Sequence, residues 1–522
     1  MTTDRRRLLQ GLAAIGGAFV LPRVVMGART SSLPLPDYPF RLGVASGFPT
    51  HHSFVLWTRL APRPDQPGGG MLPLDWKVRY EVALDENFRH IVARGSAKAE
   101  ARFAHSVREE VKGLAPARDY WYRFMAGGHA SVVGRTRTMP AADARTAALH
   151  LVVASCQHYE TGYYAAWRHA VAEAPDLVLH LGDYIYDTAP RTNKLRRHSG
   201  DRACFTLDDY RQRYAQYRID PDLQAAHAAA PWFVTWDDHE VQNDYSGVTS
   251  SREADLPSFL TRRAAAYQAW YEHLPVPPSF LRADGTMRIY TRQRIGRLAT
   301  LHMLDQRQYR SREVCPRPPQ LGGLRVGPEC AERLDTTRTM LGAAQERWLE
   351  EGLHRQSTRW TLLGQGTPFS QINTGSVEEP QYSTGAWTGF PAARQRLVDS
   401  LQRSRCENPV ILGGDIHAYV VGGINAVPER LDTPLVASEF VTTSVTSDPI
   451  SQQTLDKWKS TNPNLLRLDG TSRGYLSLRL SESLLQADLV TIDDRLRLDS
   501  GRQLSASFVV EAGNPSIVPA SS

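Results

Sequence analysis

An all-β sandwich followed by a layered α/β domain is the fold this sequence predicts, and three observations predict it. Within residues 37–140, apolar and polar residues alternate at period two, as in half-buried strands. From about residue 148 the pattern changes to continuous Val/Leu/Ile runs separated by helical stretches, which is how strands covered on both faces read. The composition is that of a globular chain: of 522 residues, 41% are hydrophobic and 22% charged. Disorder, collagen and a disulfide miniprotein are thereby excluded.

The first 28 residues read as an address. Asp4-Arg5-Arg6-Arg7-Leu8-Leu9-Gln10 leads into the apolar run Gly11 to Leu21, and Pro22 and small residues follow to Ala28. A charged start, a short apolar core and a small-residue exit describe a secretory signal, and the paired arginines before leucines resemble the twin-arginine type. This implies the twin-arginine export machinery as a partner and a periplasmic or secreted location. The run is short of the ~20 apolar residues of a membrane span, and no later stretch is long enough. A processed chain is therefore expected to keep no stable span, and to be a monomer.

Charge narrows the function further. Lys+Arg number 61 against 55 for Asp+Glu, and residues 1–28 hold four Arg and one Asp of that excess. What remains is too small for a dedicated nucleic-acid binder. Only six of the 61 basic residues are Lys, so a single Arg carries little information. The five cysteines (Cys156, Cys204, Cys315, Cys330, Cys406) are an odd number, so at least one stays outside any intramolecular bridge. Cys315 and Cys330 flank a Pro/Gly-rich loop and are the best candidates for a pair.

In the first domain, Phe54 to Trp57 is a short strand, and Trp76, Val78, Tyr80 and Val82 alternate with polar residues. Leu114-Ala115-Pro116 precedes Tyr120, Tyr122 and Phe124. That pattern resembles the late strands of fibronectin-type or immunoglobulin-like sandwiches, with their buried tyrosine near a corner. Val132 to Thr138 is the last strand before the linker at Pro140. A packing or lid role is the expectation for such a domain.

In the second domain the buried runs are 149–154, 177–181, 232–235, 360–363, 410–412 and 435–441. Helical stretches are expected at 162–173, 207–217, 259–273 and 343–356, and strand-like alternation returns at 474–480, 486–492 and 505–510. Ligands of layered α/β folds gather beyond the carboxyl ends of the strands. There the sequence places Ser155-Cys156-Gln157-His158, Gly182-Asp183-Tyr184-Ile185-Tyr186-Asp187, Trp236-Asp237-Asp238-His239-Glu240 with Asn243-Asp244, Gly364-Gln365-Gly366, and Gly414-Asp415-Ile416-His417. Taken singly, Asp183 could be a cap, Tyr186 core, and His239 and His417 backbone-bonded. Together these groups are expected on one edge of one sheet. So many like charges repel without cations, and carboxylate, phenolate, thiolate and imidazole suit a multi-metal site.

Gly182-Asp183-x-x-Tyr186 resembles the signature of calcineurin-like metallophosphoesterases in the purple acid phosphatase variant. Asp238-His239-Glu240 is similar to the Gly-Asn-His-Glu element, and Gly414-Asp415-Ile416-His417 to Gly-His-x-His with aspartate for the first histidine. With Cys156 in place of the usual first aspartate, the set resembles PhoD-type alkaline phosphatase/phosphodiesterases. The likeness runs from Phe40 through Leu304-Asp305-x-Arg307-x-Tyr309-Arg310 to the last motif. It implies a four-layer α/β/β/α metallophosphoesterase domain over 148–512. It also implies Fe³⁺ held by Cys156, Asp183, Tyr186 and His417, and Ca²⁺ (one or two ions) held by Asp183, Asp238 and Asp415, with Asp237, Asn243 or Asp244 open for an additional ion. Aspartate for histidine supplies the oxygen donors that Ca²⁺ prefers, and Gln365 stands where relatives carry a histidine.

The implied reaction is release of phosphate from phosphomonoesters and diesters by in-line attack of an iron-held oxide or hydroxide. Asp183 bridges the ions, and His239 protonates or stabilises the leaving oxygen. Arg307 and Arg310 are candidates for binding the phosphate. No Walker loop is present, which argues against nucleotide-driven transfer. Three alternatives stay open: a phospholipase-D-like phosphodiesterase acting on lipid or teichoic-acid substrates, a non-catalytic exported binding protein with structural metals, and a redox enzyme.

Overall fold

The computed structural model describes residues 30–31 and 34–520, except 193, 253–255, 356, 405 and 429. The leader expected at 1–28 lies outside the described residues. In the N-terminal part, Asp75–Ala83 pairs antiparallel with Ile91–Ala99 and Asp119–Ala126 in a six-stranded sheet. Its inner residues Val78, Val82, Tyr122 and Phe124 pack on Phe54 and Leu56 of Ser53–Arg59 and on Val107 and Val111 of Ser106–Lys112. That is the sandwich the alternation demands. Tyr120 closes the corner: its hydroxyl donates to the Ala115 carbonyl at 3.1 Å and accepts the Ala115 N–H at 2.9 Å.

The second layer of this sandwich is not a sheet of its own. Val44–Gly47 runs parallel beside Trp232–Thr235, with Gly47 opposite Trp232, so the sandwich strands extend a ten-stranded sheet centred in the α/β part. A Cβ at Gly47 would lie 2.5 Å from the Pro275 carbonyl, so the close approach needs glycine. The two parts share backbone hydrogen bonds as well as a linker.

The apolar runs all form strands, in the two sheets that the four-layer order implies; the runs read by themselves suggest one edge of a single sheet. Ala148–Ala154, Leu177–Leu181 and Trp232–Thr235 are parallel neighbours in the ten-stranded sheet. Trp360–Gly364, Pro409–Gly413 and Leu435–Val441 are parallel neighbours in a seven-stranded sheet that begins with Thr291–Ile295 and Ala299–Met303. Continuous apolar runs carry no mark of which sheet they join. Alternation inside them shows the layering: Leu362, Val410 and Leu412 enter the core between the sheets, while Leu363 and Ile411 pack on Leu349, Leu353, Leu397, Val398 and Leu401 of the helices Ala343–His354 and Pro391–Ser404. The helices Ala165–Ala172, Leu207–Arg218 and Leu256–His273 supply Trp167, Tyr210, Tyr214 and Trp270 to the core on the other side, which completes the α/β/β/α order. Leu207–Arg218 starts where Thr206 and Asp209 cap each other's backbone N–H, as Thr-x-x-Asp allows.

Cys315 and Cys330 are disulfide-bonded, and Cys156, Cys204 and Cys406 are free. Among the described residues no helix is long and apolar enough to cross a membrane.

Candidate metal centre

The candidate ligands sit on tight turns after the strands of both sheets. Cys156, Asp183, Asp415 and His417 all have left-handed backbone, with φ of 59°, 55°, 70° and 55°. Each such residue costs about 1–3 kcal/mol, and four of them gathered at one place mark a site that the surrounding structure holds against strain. The preceding glycines permit the approach: a Cβ on Gly182 would lie 2.5 Å from the Asp237 Cβ, and one on Gly414 2.5 Å from the Ser155 hydroxyl. Glu240 ties two turns together. Its buried carboxylate accepts the backbone N–H groups of Asp183 at 3.1 Å, Tyr184 at 2.6 Å and Asp237 at 2.9 Å.

Cys156, Asp183 and His417 bring one ligand atom each to within 4.8 Å of the others. The Tyr186 hydroxyl lies 3.0 Å from both Asp183 Oδ2 and His417 Nε2, and 2.7 Å from the Ser447 hydroxyl. All but His417 are buried. Burial and the Asp183 charge push the Cys156 thiol and the Tyr186 phenol well up, while burial and Asp238 push the Asp183 carboxyl up. Loss of water around the ring, with the charge of Arg473, brings His417 down to about 3, which keeps its imidazole neutral, the ligating form.

A second group joins the first through Asp183. Asp183, Asp238 and His239 form one cluster, and Asp237, Asp238 and Asp415 another. Burial and the neighbouring Asp237 and Asp238 push Asp415 up. Burial also opposes the charge of Asp238, but Arg307 and His239 overcome it and hold the carboxyl below its usual range. Asp237 Oδ2 and Asp238 Oδ1 are buried without a hydrogen-bond partner. Orphaned carboxylate oxygens beside other carboxylates fit cations. A thiol, a phenol, an imidazole and a carboxylate fit a transition-metal ion in the first group, and an all-oxygen set fits a hard divalent ion in the second.

These findings accord with known proteins. The pattern of the family described as PhoD-like phosphatase matches residues 151–489, and that of the PhoD-like phosphatase N-terminal domain matches residues 27–140. Alkaline phosphatase D of Bacillus subtilis (strain 168) is 39% identical, over 98% of this chain and 88% of that protein. The chain belongs to the PhoD-like phosphatase family. A solved structure of PhoD superposes with a TM-score of 0.89, at 39% identity, over 94% of this chain and 93% of that one. Like its family, the chain is a hydrolase of phosphoric esters.

Within this PhoD-like frame, Cys156, Asp183, Tyr186, Asp238, His239, Asp415 and His417 lie together although they span some 260 sequence positions. Arg307 and Arg310 are both turned inward. Arg307 is 1% exposed and its Nε is 2.6 Å from Asp237 Oδ1. Arg310 is also buried and spends its guanidinium on Glu313 at 2.9 Å and on the carbonyls of Gly385 and Tyr245. Both face inward because each lies among buried carboxylates or carbonyls. Gln365 is turned to the Trp387 indole N–H at 2.6 Å. Asp244 donates its backbone N–H to Asp238 Oδ2 at 2.7 Å.

Sequence reasoning missed the roles of Asp187 and Arg262. Asp187 Oδ1 is 2.8 Å from His239 Nδ1, and its Oδ2 is 2.7 Å from Arg262 Nη2. Asp187 closes the Gly-Asp-x-x-Tyr turn and so was visible; Arg262 comes from a helix with no local signal. Burial disfavours the imidazolium of His239, yet Asp238, Asp183 and Asp187 lift it to about 10. A further trio, His158, Glu160 and His198, also offers atoms within 4.8 Å, and His158 packs 4.3 Å from the Tyr186 ring. Here the hydrogen bonds point to a support and not to ligands. Glu160 N–H donates to His158 Nδ1, and the Tyr217 hydroxyl, which already accepts from the Tyr159 and Tyr186 amides, lies 3.0 Å from His198 Nε2. The ring protons are thereby left on His158 Nε2 and on His198 Nδ1, the latter 3.5 Å from Glu160 Oε2.

Proposed function

We propose that this chain is an exported, metal-dependent phosphoesterase that releases phosphate from phosphomonoesters and diesters. The observation that carries the reading is the Tyr186 hydroxyl set 3.0 Å from both Asp183 and His417, beside Cys156. Cys156, Asp183, Tyr186 and His417 would hold a ferric ion; Asp183, Asp238 and Asp415 would hold Ca²⁺, with Asp237, Asn243 or Asp244 open for a further ion. Cations bound there supply neutralisation of the phosphoryl oxygens and acidify a water. The twin-arginine-like leader and the Cys315–Cys330 disulfide support export to an oxidising compartment.

The chain's own groups do the rest. His239 has Nδ1 held by Asp187, which leaves Nε2 to give a proton to the departing oxygen. Arg262 keeps Asp187 in place, and the Tyr186 ring lies 4.2 Å from the His239 ring and restricts its rotation. Glu240 and Ser447 hold the ligand turns through backbone and hydroxyl contacts. The test is phosphatase activity of the exported protein before and after Asp183→Asn and with a Ca²⁺ chelator. The expected result is loss of hydrolysis in both; full activity in Asp183→Asn refutes the assignment.

A further inference from the structure

Arg307 is the cation closest to the second group of carboxylates, and it is placed to govern which ion that group accepts. Its Nε is 2.6 Å from Asp237 Oδ1, and its Nη2 is 3.6 Å from Asp238 Oδ2. The latter oxygen also accepts the Asp244 N–H. One oxygen of each aspartate is thus engaged from outside, and the oxygens left without a partner are Asp237 Oδ2 and Asp238 Oδ1. Arg307 is itself fixed: its backbone N–H donates to Asp305 Oδ1 at 3.1 Å, and its carbonyl accepts the Gly247 N–H at 2.8 Å. The neighbouring Arg310 is matched by Glu313 at 2.9 Å, so its charge is largely cancelled locally.

We infer that Arg307 is a positioning and charge-setting residue that makes the Asp237–Asp238–Asp415 group selective for a divalent over a trivalent cation. This rests on the proposed metal centre. Asp183 and His239 also border this group, so Arg307 is one of several charges that set its field. Removing the guanidinium makes that field more negative by one charge, and a trivalent ion gains more from the added charge than a divalent one. Arg307 holds Asp237, and the Asp244 N–H holds Asp238, each with a single oxygen left free.

The test is competition between Ca²⁺ and Tb³⁺ on the exported full chain, read by tryptophan-sensitised Tb³⁺ luminescence and by metal analysis. Arg307→Gln is expected to raise the preference for Tb³⁺ over Ca²⁺ by about tenfold or more, and Arg307→Lys to keep the wild-type ratio. Equal weakening of both ions in Arg307→Gln, an unchanged ratio, or an equal shift in Arg307→Lys overturns the inference. Should Arg307→Gln fail to fold, Asp237→Asn reads the same rule with opposite sign: the Tb³⁺ preference falls, and a rise or no change overturns it. If Asp238→Asn and Asp415→Asn leave Tb³⁺ binding at its wild-type stoichiometry, the metal-centre reading itself fails, which is a separate result from a failed ratio.

Discussion

Asp187→Asn separates proton donation from metal binding. The carboxylate joins His239 Nδ1 at 2.8 Å and Arg262 Nη2 at 2.7 Å, and its side chain is 6% exposed. Asparagine has the same shape but only one acceptor. If its oxygen faces His239, its NH₂ faces the Arg262 guanidinium, donor against donor; if it turns over, the imidazole loses the partner that stabilises its charged form. Either way one charge-assisted hydrogen bond is lost, worth about 1.5–3 kcal/mol, which is about 10- to 150-fold in rate if it is felt in the transition state. That loss should fall on esters whose leaving alkoxide needs a proton. A p-nitrophenyl ester leaves as a stable anion and should lose little. The assay is kcat on an alkyl phosphate and on p-nitrophenyl phosphate, with iron and calcium content measured alongside. Equal loss on both substrates, or full alkyl phosphatase activity, would refute the assignment of His239 as proton donor.

Glu240→Gln deprives at least one of three backbone N–H groups of its acceptor, and should lower stability by about 1–3 kcal/mol, read as a urea midpoint; an unchanged midpoint contradicts the clamp. Tyr186→Phe in exported protein should abolish a visible phenolate-to-iron absorption band; persistence of the band assigns it to another group. Glu173 gives a pH prediction away from the candidate metal centre. Burial opposes its charge, but hydrogen bonds from His150, Ser477 and Tyr475 and the charge of Arg502 bring its carboxyl down to about 2 from its usual 4.5. A lowered carboxyl stabilises the fold fully above about pH 4.5 and loses that contribution as pH falls toward 2. Discounted for the half-exposed Arg479 and Arg502, its share is about 2 kcal/mol, so Glu173→Gln should flatten acid unfolding between those values.

Much of the fold was legible because it follows local rules. The alternation at Trp76, Val78 and Val82 became a strand with those residues buried, and the six apolar runs became six strands. Helices Pro221–Ala229, Pro391–Ser404 and Gln452–Thr461 escaped, although Asp220-Pro221 and Ser451 are ordinary start signals. Few large apolar residues mark the first, and the other two carry many polar residues over a narrow buried stripe. The division of the runs between two sheets came from the family resemblance and not from the runs themselves, since a strand buried on both faces looks the same in either.

The sequence by itself determined which chemistry was available: a thiol, a phenol, carboxylates and imidazoles, each placed just after a buried strand by the alternation of apolar run and polar turn. Residue type and chain position are enough for that. Only the tertiary structure decided the use of each charge. Arg307 and Arg310 share a motif with Asp305, yet burial turns one to Asp237 and the other to Glu313. Arg262 meets Asp187 across 75 positions. A buried charge must find a partner wherever the packing brings one, and no local pattern encodes a partner that far away.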